Sequence, residues 1–72
     1  MPWLSPAAAH AVACTCSQVG SADVRRAARR VSAGLYGEAV TLLKARGAHA
    51  LCAEWIVAEL DRLRAGRLPR GE

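Results

Sequence analysis

Apolar and basic positions separate most sharply over residues 21–34, SADVRRAARRVSAG. At ~100° per residue, Val24, Ala27, Ala28 and Val31 fall within an arc of roughly 100°. Arg25, Arg26, Arg29 and Arg30 fill a second arc of about 140°, centred almost opposite the first. No arginine enters the apolar arc, so the pattern predicts one amphipathic helix over residues 21–33. Ser21 offers a hydroxyl as N-cap. Asp23 places a negative charge in the first turn, where the helix dipole favours it. Gly34 follows the last helical position and can adopt the left-handed cap conformation.

The apolar periodicity continues downstream. Tyr36, Ala39, Val40 and Leu43 recur at helical spacing, which predicts a helix over 38–46 that stops at Gly47. Between the two helices, Gly34-Leu35-Tyr36-Gly37 reads as a tight connector with its two large side chains turned inward. A third and longest helix is predicted over 48–65, with Cys52, Ile56, Leu60 and Leu63 as its buried stripe and Leu51 and Trp55 on the flank. Glu59 with Arg62, and Asp61 with Arg64, stand three residues apart on that helix and can pair. Upstream, Ser5-Pro6 is a helix start, with Ser as the cap and Pro at the first helical position. The alanine-rich run to Cys16 follows it, and Ala9, Val12, Ala13 and Cys16 share one side. The expected fold is all-α: a small three- to four-helix bundle. It comprises an uncharged N-terminal segment (1–20) with a short helix at 6–16, a three-helix domain (21–66) and a loose basic tail (67–72). The expected core is Val24, Ala28, Val31, Leu35, Val40, Leu43, Cys52, Ile56, Leu60 and Leu63.

Length and composition sharpen this picture. Seventy-two residues allow one domain, and 53% apolar content is too high for a disordered chain. Much of that content is alanine, and there is no Phe, so the core is thin. A homodimer or a bound partner is therefore expected. The net charge of +4 is unevenly spread. Residues 1–20 carry no Asp, Glu, Lys or Arg, whereas the arginine helix and the tail carry most of the basic groups. Three cysteines cannot all pair within one chain, and no positively charged leader precedes the first apolar run; a reduced, cytoplasmic setting is expected. No run reaches the length of a membrane span.

Four chemistries follow from these residues. Arg25, Arg26, Arg29 and Arg30 repel one another, with no Glu or Asp three or four residues further along the helix to offset them. Their guanidinium forks suit phosphate or carboxylate, and Arg67 and Arg70 of the tail could add to such a surface. Placing Gly34 at the turn of a helix-turn-helix satisfies the apolar slots at Leu35, Val40 and Leu43 but sets Arg29 and Arg30 where the motif wants an aliphatic residue and an alanine. A metal site could draw on Cys14, Cys16, His49 and Cys52, a Cys₃His set suited to structural zinc. No other cofactor is indicated. Against zinc, Cys-x-Cys is not the usual Cys-x₂-Cys turn, and Cys52 fits the apolar stripe unaided. Catalysis is not expected. His49 and Cys52 lack an orienting group and an oxyanion hole, and no phosphate-binding glycine loop or carboxylate pair is present. Trp3 and Leu4, finally, either cap the bundle or form an apolar patch for a protein partner.

The expected function is that of a small non-catalytic binding protein, a regulator, whose arginine face engages the backbone of DNA or RNA. The alternative is a small helical inhibitor or adaptor, of the kind encoded on mobile elements. It would use the arginine face together with Trp3 and Leu4 to occupy an acidic partner surface. Neither a membrane nor a small-molecule substrate is expected as a partner.

Overall fold

Helix boundaries follow from local backbone chemistry. A computed structural model describes residues 2–16 and 18–66, and among these it contains four helices and no strand: α1 (Pro6–Cys14), α2 (Ser21–Ser32), α3 (Tyr36–Ala45) and α4 (Ala50–Gly66). The Ser5 hydroxyl accepts from the Ala8 N–H at 3.1 Å and Pro6 opens α1, as the sequence predicts. That helix stops at Cys14, two residues short of expectation, where the Thr15 hydroxyl donates to the Val12 carbonyl at 2.6 Å. A side chain that bonds its own backbone in this way competes with continued helix.

The start of α2 differs from expectation. The cap is Gly20, not Ser21, and Ser21 is the first helical residue. In place of a hydroxyl cap, the Asp23 carboxylate reaches back to the Gly20 N–H at 3.4 Å. Both α2 and α3 end in the same six-residue closure. The Gly34 N–H bonds to the Val31 carbonyl and the Leu35 N–H to the Arg30 carbonyl; Gly47 and Ala48 repeat this with Lys44 and Leu43. The closure needs a left-handed residue, and Gly34 (φ 79°) and Gly47 (φ 107°) supply it without a Cβ penalty. At the head of α4, His49 accepts at Nδ1 from the Leu51 N–H at 3.2 Å, while its carbonyl accepts the first intrahelical bond, from Ala53.

The hub of the bundle is α2, which packs against α1, α3 and α4; α4 also meets α3 and α1. Val24, Ala27, Ala28 and Val31 are fully buried at that centre, joined by Leu43, Ile56 and Leu60. Leu4, Ala9, Val12, Ala13, Cys16 and Val19 bring the uncharged N-terminal segment into the same core. Val40, Cys52 and Leu63 of the expected core are only partly buried, packed against its edge. Leu35 is not core at all: it is 43% exposed, and Tyr36 beside it is exposed too. Leu35, the single residue between Gly34 and α3, and Tyr36, the first residue of α3, make a turn that runs over the surface, so neither side chain turns fully inward.

The largest departure is the rotation of α4. Its buried arc is Ala53, Ile56, Val57 and Leu60, turned by about 55° from the expected Cys52, Ile56, Leu60 and Leu63 stripe. The inner positions of α4 thus hold the small Ala53 and Val57 beside Ile56 and Leu60, and the larger Leu51 and Trp55 stay outside. Tyr36 then closes the far end of the α3–α4 pair. Its hydroxyl donates to Asp61 Oδ1 at 2.9 Å and accepts from Arg64 Nη2 at 2.7 Å, and Arg64 also bonds Asp61 at 3.0 Å. None of the described helices is long and apolar enough to cross a membrane.

Two expectations test these locks. His49→Ala removes a helix cap and should lower unfolding free energy by about 1 kcal/mol, whereas His49→Asp, which can also cap, should recover it. Urea midpoints of the three proteins measure this; equal midpoints for wild type and His49→Ala would show that the cap contributes nothing. The hydrogen bond from Arg64, then that from Tyr36, holds the Asp61 carboxyl below the ordinary carboxylate range. Because the folded value lies below the unfolded one, the stabilisation is complete above the ordinary range and disappears as pH falls through the folded value. The carboxylate is partly exposed, so the effect is modest. The wild-type stability curve should therefore lie above that of Asp61→Asn at neutral pH and meet it at acid pH, as read from denaturant midpoints across pH.

Candidate nucleic-acid interface

The arginine face forms because the opposite face of α2 is committed to the core. With Val24, Ala27, Ala28 and Val31 fully buried, the 3.6-residue repeat leaves Arg25, Arg26 and Arg29 exposed and Arg30 half-buried at the margin. All four predicted residues are thus brought onto one surface. Arg30 turns along the helix and donates to the Arg26 carbonyl at 3.3 Å. It also lines a shallow open groove between α2 and α3 with Gly37, Glu38, Thr41 and Leu42.

Counter-charge on this face is sparse. Among the described residues no carboxylate lies within 4.0 Å of Arg25, Arg29 or Arg30. Arg26 does have one, contrary to the expectation of four uncompensated cations: Asp23, three residues earlier, meets it at 3.2 Å. The same Asp23 oxygen accepts from Arg46 Nε at 3.0 Å. One carboxylate therefore serves two guanidiniums, and Arg46 joins the four arginines of α2 as a fifth cation. Sequence spacing does not show this partner, because it lies 23 residues away. Its signal is topological: α3 runs back along α2, so the end of α3 returns to the start of α2. The acids of α4 do not reach the arginine face; Glu59 pairs with Arg62, and Asp61 with Arg64, on their own helix. Those two pairs are the ones predicted from the i+3 spacing.

The other predicted sites fare differently. Leu4 is 7% exposed and belongs to the core, and Trp3 is half-buried against it, with Nε1 donating to Ser32 Oγ at 3.2 Å. The expected apolar partner patch at Trp3 and Leu4 is thus corrected: the pair caps the bundle over the end of α2. The Cys₃His set does not assemble. Cys14 is exposed and pairs with His10 Nε2 at 3.4 Å, Cys16 is buried, and His49 is the helix cap. No group of three or more metal-ligating side chains converges among the described residues. Cys16, just past α1, neighbours Cys52 of α4, and hydrogen bonding to Cys16, with burial adding, pushes the Cys52 thiol up. It packs at the edge of the core as a small apolar side chain rather than a thiolate. Arg67 and Arg70 lie outside the described residues. No protein family, curated protein or solved structure matches this chain.

Proposed function

We propose that this is a small non-catalytic binding protein whose α2 arginine face, extended by Arg46, engages the phosphate backbone of DNA or RNA. The observation that carries the proposal is the charge balance of that face. Arg25, Arg29 and Arg30 have no carboxylate within ion-pair distance among the described residues, and Arg26 and Arg46 share one. Arginines held along one rigid helix offer parallel guanidinium forks to successive phosphates. Such contacts position a protein on nucleic acid without reading sequence. An acidic protein surface could meet the same arginines. That alternative loses the apolar anchor expected at Trp3 and Leu4, since Leu4 is buried and Trp3 is tied to Ser32.

Backbone binding has a quantitative signature. If four phosphates are neutralised, affinity should fall by about two orders of magnitude between 50 and 200 mM salt, with a log–log slope near −3.6 on duplex DNA. Replacing Arg25, Arg26, Arg29 and Arg30 together with Gln should remove most of that slope. Fluorescence anisotropy with a labelled duplex and a labelled single strand measures it; a parent protein with no salt dependence would end the proposal. Asp23→Asn separates charge from fold. It frees Arg26 and Arg46 from their shared carboxylate and should tighten binding several-fold at low salt. The same substitution removes the dipole-facing charge of α2 and should cost about 0.5–1 kcal/mol of stability. Weaker binding by a folded Asp23→Asn protein would contradict the assignment.

A further inference from the structure

The rotation of α4 leaves a second surface. Leu51, Trp55, Ala58 and Arg62 fall within an arc of about 60°, centred opposite the buried arc of Ala53, Ile56, Val57 and Leu60. Leu51 is 71% exposed and Trp55 45% exposed, and Ala58 and Arg62 are exposed with them. Their spacing of four, three and four residues is that of a seam between two paired helices. Glu54 beside the stripe is exposed and has no ion-pair partner among the described residues.

We propose that this stripe is a self-complementary joint through which two copies of the chain pair α4 against α4, antiparallel, about a twofold axis level with Ile56 and Val57. Each large residue then meets a small or flexible one. Trp55 covers Ala58 of the second copy, and Leu51 packs on the aliphatic stem of the other Arg62. Symmetry repeats both contacts, as a closed isologous joint requires. Arg62, which meets Glu59 of its own helix, also comes beside Glu54 of the second copy, so this cation is shared with a carboxylate that has no partner of its own, and symmetry repeats the contact. A parallel pairing is disfavoured: it sets Trp55 on Trp55 and Arg62 on Arg62. The stripe is about 16 Å long, which places the joint at the small end of interface sizes. Association is accordingly weak and concentration-dependent. It leaves the outer face of α2 free, so it neither requires nor excludes anion binding there.

Sedimentation equilibrium of the full chain between about 10 µM and about 1 mM, with reductant present to keep the thiols apart, tests the joint. A monomer–dimer equilibrium is expected. Leu51→Lys with Trp55→Lys should abolish it, with thermal melting at low concentration confirming that the chain still folds. Glu54→Arg, a surface change, should weaken the dimer roughly tenfold, and adding Arg62→Glu together with Glu59→Arg, which keeps an ion pair within the helix, should restore it by exchanging the charges. A monomer throughout the range overturns the proposal. So does a dimer indifferent to all of these substitutions, one that Glu54→Arg weakens but the charge exchange does not rescue, or assembly beyond two copies.

Discussion

Burial of one narrow strip of alanine and valine on α2 holds this protein together. Val24, Ala27, Ala28 and Val31 are fully excluded from water because three other helices converge on them. Small side chains permit that convergence: they let helix axes come close, so that a chain without phenylalanine can still fill its interior. The strip has a second consequence. A helix of 12 residues buried along one side has to place everything else outside, and in α2 half of that remainder is arginine. The same packing that stabilises the bundle therefore fixes the direction in which the cations point.

Capping explains why the strip is so sharply bounded. Two left-handed glycines close α2 and α3, and each closure sends the chain back along the helix it has just left. Arg46 arrives beside Asp23 for that reason, and Tyr36 arrives beside Asp61 and Arg64 at the opposite end of the hairpin. These contacts are exposed or partly exposed ion pairs and hydrogen bonds, each of small energy. Their effect is to fix register. Much of the core on α2 is alanine and valine, whose contacts alone would tolerate a slide of one helix along another.

The N-terminal segment shows how a stretch without any charge is used. Its helix carries Ala9, Val12 and Ala13 into the interior, and Leu4 and Val19 follow on either side. Trp3 lies across the end of α2 with its indole N–H satisfied by Ser32. A large aromatic ring can sit at a domain edge in this way because one end is apolar and the other can still find a polar partner. Between these inward positions the segment presents exposed residues, His10, Ala11 and Cys14 among them.

The periodicity of the sequence determined that the chain is helical, where three of the four helices turn and stop, and which face of α2 is cationic. Those features are local. A repeat of 3.6 residues, a Ser-Pro start and a glycine after the last turn act within a few residues of one another, so the order of residues is enough to read them. Tertiary structure alone decided the rotation of α4, the exposure of Leu35, Leu51 and Trp55, the burial of Leu4, the separation of Cys14 and His49 from Cys16 and Cys52, and the sharing of Asp23 by Arg26 and Arg46. Each of these depends on how closely two distant segments can approach. That approach is set by side-chain volume on both partners at once: on α4 the small Ala53 and Val57 turn inward beside Ile56 and Leu60, while Leu51 and Trp55 stay outside.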